Sequence, residues 1–239
     1  MMEEFNDCTI VIDAGNTCIK VGVFKKDRIQ EVMHFGNDDW TALKSFLTEF
    51  TYPNSIVSSV RSEKDTRWIL QLLNNPKRFN PSTTYLKHTY STPETLGSDR
   101  LANVIAVASM SKTNALIIDV GTCIKFDFIT DDKIYKGGSI SPGISLRYKS
   151  LNDHTGNLPL VNDFSKPNWI GDSTISCIHS GVVLGIQGEI NLFMDYYSSH
   201  YQDLTIFVTG GDAHCFDFQS KNNIFVEQNL TLYGLYYSM

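Results

Sequence analysis

The sequence predicts an α/β protein built from two similar lobes, and an internal repeat carries most of that prediction. Residues 10–20 read IVIDAGNTCIK and residues 116–125 read LIIDVGTCIK. Dropping Asn16 aligns Asp13 with Asp119, Gly15 with Gly121 and Thr17 with Thr122. Cys18, Ile19 and Lys20 then align with Cys123, Ile124 and Lys125. A second observation is that apolar strand-like runs alternate with segments of helical spacing in both halves. A third is size: 239 residues at 42% hydrophobic content can bury a sizeable core. Duplication of one unit is the simplest cause of the repeat.

The elements follow in order. Each repeat reads as a buried strand, a tight Asp-x-Gly turn and a second strand. Each then continues through an alternating segment, VGVFKKDRI or FDFITDDKI, as a hairpin into a third strand. Residues 39–50 have helical spacing, 55–60 (SIVSSV) form a short buried strand, and 65–73 are again helical. A largely apolar helix covers 100–110, opened by Gly97-Ser98-Asp99-Arg100. In the second half, 137–151 (GGSISPGISLRYKSL) runs from a Gly-rich turn into a helix. Residues 173–201 are long enough for a major helix, and 205–213 (TIFVTGGDA) form a strand ending in a Gly-Gly turn. The last segment, NLTLYGLYYS, is compatible with a helix. Pro and Gly are scattered as punctuation, so no linker marks a boundary. The division falls just before the second repeat, giving lobes 1–113 and 114–239.

Composition excludes several classes. A net charge of −6 with no Lys/Arg cluster argues against nucleic-acid binding. The five cysteines have no C-x-x-C spacing, which argues against a disulfide framework or zinc site and fits a reducing compartment. The six histidines show no metal-ligand spacing either. The acidic start, residues 1–7, lacks the pattern of a signal peptide, and no apolar run is long enough to span a bilayer. The expectation is a cytoplasmic protein with no membrane or nucleic-acid partner. Gly181 and Gly185 read as a close helix-packing pair, and Tyr196, Tyr197, Tyr201, Tyr236 and Tyr237 as packing or interface aromatics.

The repeated turn carries the chemistry. A Gly between two strands lets backbone N–H groups approach an anion. Asn16 and Thr17 add neutral donors, Lys20 adds positive charge, and Asp13 is placed to hold a metal ion directly or through water. One such turn is equally explained by an aspartate bonding its own backbone. Two copies point instead to turns that grip a triphosphate and its Mg²⁺ across a cleft. Neither a G-x-x-x-x-G-K-[ST] nor a G-x-G-x-x-G motif follows a strand, so ATP would have to use these turns. Gly210-Gly211 after a buried strand would leave room for a flat ligand such as adenine or ribose. Asp99 lies in a first helical turn, where the macrodipole favours its charged form. Ser98 or Asp99 acting as a plain N-cap explains the same residues. So does capping for Thr174, after Gly171-Asp172-Ser173.

Taken together, the motifs resemble those of type III pantothenate kinases. The order is IDAGNT (12–17), Tyr90 with PETLGSDR (93–100), DVGTCIKFD (119–127), GGSISPG (137–143), GDST (171–174) and TGGDA (209–213). The resemblance implies two ribonuclease H-like lobes of the actin-like ATPase fold, with the active site in the cleft between them. It implies a homodimer that uses ATP to phosphorylate pantothenate, the first step toward coenzyme A. It implies that Asp13, Ala14, Gly15, Asn16, Thr17, Cys18, Ile19 and Lys20 line the ATP phosphates, and that Thr122 meets ATP from the second lobe. Asp99 would accept the proton of the pantothenate hydroxyl. Tyr90, Gly97, Ser98, Arg100 and Thr174 would bind pantothenate. Asp119 would hold a monovalent cation, K⁺ or NH₄⁺. Three positions depart from the family pattern. Cys18 stands in place of a basic residue, Lys125 in place of a small polar one, and Thr92 where Asn commonly precedes the proline. Two other functions fit the same fold: an actin-like kinase for a different hydroxy or carboxylate metabolite, and a non-enzymatic nucleotide-binding regulator. The Tyr90–Arg100 segment and the acidic net charge favour the pantothenate kinase.

Overall fold

A computed structural model describes residues 8–36, 38–81, 85–218 and 223–239. The acidic start at residues 1–7 lies outside them. The described chain forms two compact units. The first takes Met1–Leu86, Ser91–Ser109 and Asn229–Met239, and the second takes Lys87–Tyr90 and Met110–Gln228.

The first unit is a five-stranded sheet with helices on both faces. Its strands are β1 (Thr9–Ala14), β2 (Cys18–Lys25), β3 (Arg28–Gly36), β4 (Asn54–Ser59) and β5 (Pro76–Arg78), in the order β3-β2-β1-β4-β5. The first three are antiparallel, because the short turns at Gly15–Thr17 and Lys26–Asp27 can only reverse the chain; β4 and β5 run parallel to β1 through helical crossovers. Lys26 and Asp27 both take positive φ between β2 and β3, the left-handed pair that matches the twist of a tight hairpin. The crossovers hold α1 (Trp40–Leu47) and α2 (Glu63–Gln71). The α2 helix starts two residues before the spacing predicts, since the Ser62 side chain accepts from the Asp65 amide and caps it.

Strand alternation sorts the apolar residues to two faces. Ile10, Ile12 and Ala14 pack with Leu43, Phe46, Leu47 and Ile69 of α1 and α2. Val11, Phe24 and Ile56 face Ala102 of α3 (Ser98–Met110). Leu232 and Leu235 complete that face, from α6 (Leu230–Tyr237) at the C-terminal end of the chain.

The second unit repeats the plan. Strands β7 (Ala115–Val120), β8 (Cys123–Ile129), β9 (Ile134–Pro142), β10 (Thr205–Thr209) and β11 (Ile224–Val226) stand in the order β11-β10-β7-β8-β9. The short β6 (Lys87–His88) is added beside β9. The core lies between this sheet and two helices, α4 (Ile144–Asp153) and α5 (Thr174–His200). Ile124, Phe126 and Phe128 of β8 face those helices, so Lys125 and Asp127 point to the other side of the sheet.

The two repeats agree in detail. Asp13 pairs across the ladder with Lys20, and Asp119 with Lys125. The register shifts between Val23 and Phe24 in one copy and between Phe128 and Ile129, the aligned positions, in the other. One expectation is corrected here. Gly137 and Gly138 do not form a turn but lie within β9, paired to Phe128 and Asp127. The shifted register explains this: Gly137, at φ +93°, absorbs the bulge and the strand continues. The helix begins only after Gly143.

Candidate active site

The first hairpin is built around Gly15. Its amide donates to the Cys18 carbonyl at 3.0 Å, closing a turn whose tip, Asn16, Thr17 and Cys18, is exposed. Asp13 and Lys20 flank the turn, each half-buried. Ala14 and Ile19 are buried in the sheet, so only their backbone can meet a ligand. Arg61 is not among the residues that the sequence motifs single out. It follows β4, which runs parallel to β1, and residues beyond the carboxyl ends of adjacent parallel strands share one crevice. Arg61 Nη1 lies 3.4 Å from the Gly15 carbonyl, and its guanidinium stacks over the Trp40 ring at 5.2 Å. Its position just past a buried strand was the available signal.

Gly97, Ser98, Asp99 and Arg100 open α3 in the same unit. The Gly97 carbonyl accepts from the Leu101 amide at 3.1 Å, and Ser98 Oγ accepts from Ser58 Oγ at 3.1 Å. The second bond ties the helix start to β4. Asp99 is half-buried, and its Oδ1 accepts from the Arg100 amide at 2.9 Å. Arg100 is buried.

In the second unit, three turns converge on the carboxyl end of β7. The Gly121 amide donates to the Cys123 carbonyl at 3.1 Å, leaving Thr122 exposed at the tip. The Gly143 amide donates to the Thr122 carbonyl at 3.0 Å, and the Asp212 amide to the Val120 carbonyl at 3.0 Å. Gly210 takes φ +98° there, and a Cβ on it would stand 2.2 Å from the Val120 carbonyl oxygen. Only glycine lets this turn lie so close to β7. Burial pushes the Asp212 carboxyl above its ordinary range.

Tyr90 stacks on Tyr135, with ring centroids 5.9 Å apart and planes 13° apart. The Tyr135 hydroxyl donates to Asp127 Oδ1 at 2.6 Å, both groups fully buried. Neither residue figured among the sequence candidates, although a lone aspartate in the apolar run FDFI was a visible signal. Thr174 is the exposed first residue of α5. Ser173 is the cap: its Oγ accepts from the Ser176 amide, and Ser176 Oγ accepts from the Ser173 amide. The segment leading to it is pinned by Tyr148, whose hydroxyl contacts His179 Nδ1 at 2.6 Å and donates to the Asp163 carbonyl at 2.8 Å. Burial holds the Tyr148 hydroxyl at about 12.

Asp119 is not an open carboxylate. Lys125 Nζ stands 2.7 Å from its Oδ2. The resemblance puts a monovalent cation on this group, and the residues present do not fit one well: an ammonium already covers that oxygen. Among the described residues, no cluster of three or more His, Cys, Asp and Glu side chains forms a metal site.

The family model for type III pantothenate kinases matches residues 9–195. The chain belongs to the type III pantothenate kinase family. A type III pantothenate kinase from Christiangramia forsetii is 42% identical over 231 residues, covering 95% of each chain. One from Flavobacterium johnsoniae is 38% identical over 233 residues, again covering 95% of each. In fold, the chain is similar to an activator of 2-hydroxyisocaproyl-CoA dehydratase from Clostridium difficile, solved with bound ADPNP. That match has a TM-score of 0.52 at 11% identity, covering 96% of this chain and 93% of the other. The architecture is that of the two-lobed actin-like ATPases and sugar kinases. Type III pantothenate kinases are ATP-dependent enzymes of coenzyme A biosynthesis, and this chain is one of them. Among the described residues, no helix is long and apolar enough to cross a membrane.

Proposed function

We propose that Asp99 accepts the proton of the pantothenate primary hydroxyl as that oxygen attacks the γ-phosphorus of ATP. A new P–O bond forms, the bond from the γ-phosphorus to the bridging oxygen breaks, and ADP leaves with the electron pair. The observation that carries this reading is the placement of Asp99. It is a half-buried carboxylate in the first turn of α3, oriented by the Arg100 amide, at the helix end where the dipole favours negative charge. A base held in this way is oriented before substrate arrives.

The Asp13–Lys20 hairpin holds the ATP phosphates. Its exposed Asn16 and Thr17, its glycine turn and Lys20 support this, and Arg61 braces the Gly15 carbonyl from behind. Thr122 contributes a hydroxyl of its own. Asp13 would hold the Mg²⁺ that accompanies the nucleotide, and that ion would supply charge neutralisation at the phosphates. Tyr90, Gly97, Ser98, Arg100 and Thr174 bind pantothenate. The stack on Tyr135 supports the first, and the exposed Thr174 hydroxyl, with Ser173 as the cap, supports the last. Arg100 offers a planar fork suited to the pantothenate carboxylate. The chain acts as a homodimer. Exposed Trp169, Ile170 and Ile175 beside Thr174 support that, as large apolar side chains that a partner would cover.

The test is release of ADP from ATP and Mg²⁺, with and without pantothenate. We expect release that depends on pantothenate. Retained ATP binding with no pantothenate-dependent release would overturn the substrate assignment and favour a regulator or a kinase for another metabolite.

A further inference from the structure

We propose that Lys125 replaces the monovalent cation in this chain, so that nucleotide binding needs neither potassium nor ammonium. The inference rests on the reading that ATP phosphates meet the Gly121–Thr122 turn. Asp119 and Lys125 are direct cross-strand partners at the mouth of the second hairpin. Directly opposed residues bring their Cβ atoms close enough for long side chains to meet on one face. Here Nζ reaches Oδ2 at 2.7 Å, the length of a charge-assisted hydrogen bond. Both side chains are largely shielded, 15% exposed for Lys125 and 12% for Asp119.

Shielding decides the competition. A mobile cation would have to displace Nζ from the carboxylate or sit next to it. Displacement would leave an ammonium partly desolvated without its partner, which is costly. Adjacency would place two like charges together where water screens them poorly. A lysine ammonium carries the same unit charge as potassium or ammonium ion, but it is tethered and always present. A small polar residue at this position would leave the carboxylate open to an ion. The lysine at position 125 closes it. The first repeat has the same partnering in register, Asp13 across from Lys20, so the arrangement is a property of the duplicated hairpin.

The test uses the full chain and measures ATP affinity by calorimetry in potassium, ammonium and tetramethylammonium salts at equal ionic strength. The thermal midpoint is followed in the same salts. The parent protein should bind ATP equally well in all three, and its midpoint should not respond to potassium. Lys125→Thr should lose about tenfold or more in ATP affinity in tetramethylammonium, the size of one charge-assisted hydrogen bond. Potassium or ammonium should restore part of that loss and raise the variant's midpoint. Should Lys125→Thr fail to fold, Lys125→Gln asks the same question with the side-chain length kept. A parent protein that binds ATP only with potassium, or a variant indifferent to the cation, would overturn the proposal. Cation-independent ATP binding without pantothenate-dependent ADP release would sink the substrate assignment and leave this inference standing.

Discussion

Asp99 shows how much a single residue owes to its place. An aspartate beside a helix start is ordinary in sequence, and capping explains it equally well. The structure shows Oδ1 accepting from the next amide while Ser98 Oγ accepts from Ser58 on β4. We expect Asp99→Asn to keep the fold, because the amide side chain has the same shape and can still accept that bond. Turnover should fall about 100-fold or more, as for a lost general base. Steady-state kinetics beside a thermal melt checks this, and full turnover would remove Asp99 from the role. The residues that the sequence left silent have a common reason. Arg61 acts through Gly15 and Trp40, and Tyr135 through Tyr90, all distant in the chain. Asp127 and Tyr135 are eight positions apart, and only the β8–β9 register brings them into one buried bond.

The hairpin is the element in which sequence and structure agree most fully. Two copies of one pattern gave two copies of one ladder, down to the Asp–Lys partnering and the position of the register shift. Legibility was high because a hairpin's geometry depends on neighbours along the chain. It was lower at Gly137, where a bulge kept a Gly-Gly pair inside a strand. The Gly210 turn is where an element-scale substitution is most informative. Gly210→Ala must hold a side chain at φ +98° against the Val120 carbonyl. We expect a loss of at least about 1–3 kcal/mol, typical of backbone strain at a special φ. Gly211→Ala is the control: nothing lies within 4 Å of a Cβ there, and denaturant unfolding should barely shift. Equal midpoints for the two variants would show that the turn tolerates a side chain.

At the scale of the whole molecule, the C-terminal segment decides the domain organisation. A boundary at 113/114 assigns residues 229–239 to the second lobe, yet Asn229–Met239 packs within the first unit. Leu232 and Leu235 are fully buried there beside Val11, Phe24, Ile56 and Ala102, and the Thr231 hydroxyl donates to Asn103 Oδ1 at 2.8 Å. Leu232→Ala should therefore destabilise by about 2–5 kcal/mol, as for other buried Leu→Ala changes. Proteolysis or hydrogen exchange should locate the loosening at Val11, Phe24 and Ile56 in the first unit. Loosening confined to 115–209 would contradict this packing. The sequence by itself determined the repeat, the alternation of strands and helices, the turn chemistry and the family. These are local or ordered along the chain, so periodicity and spacing record them. Only the tertiary structure decided that α6 returns to the first sheet, that Arg61 stands behind Gly15, and that Lys125 covers Asp119. Each depends on which faces meet once the strands are in register, and burial rather than sequence proximity selects those partners.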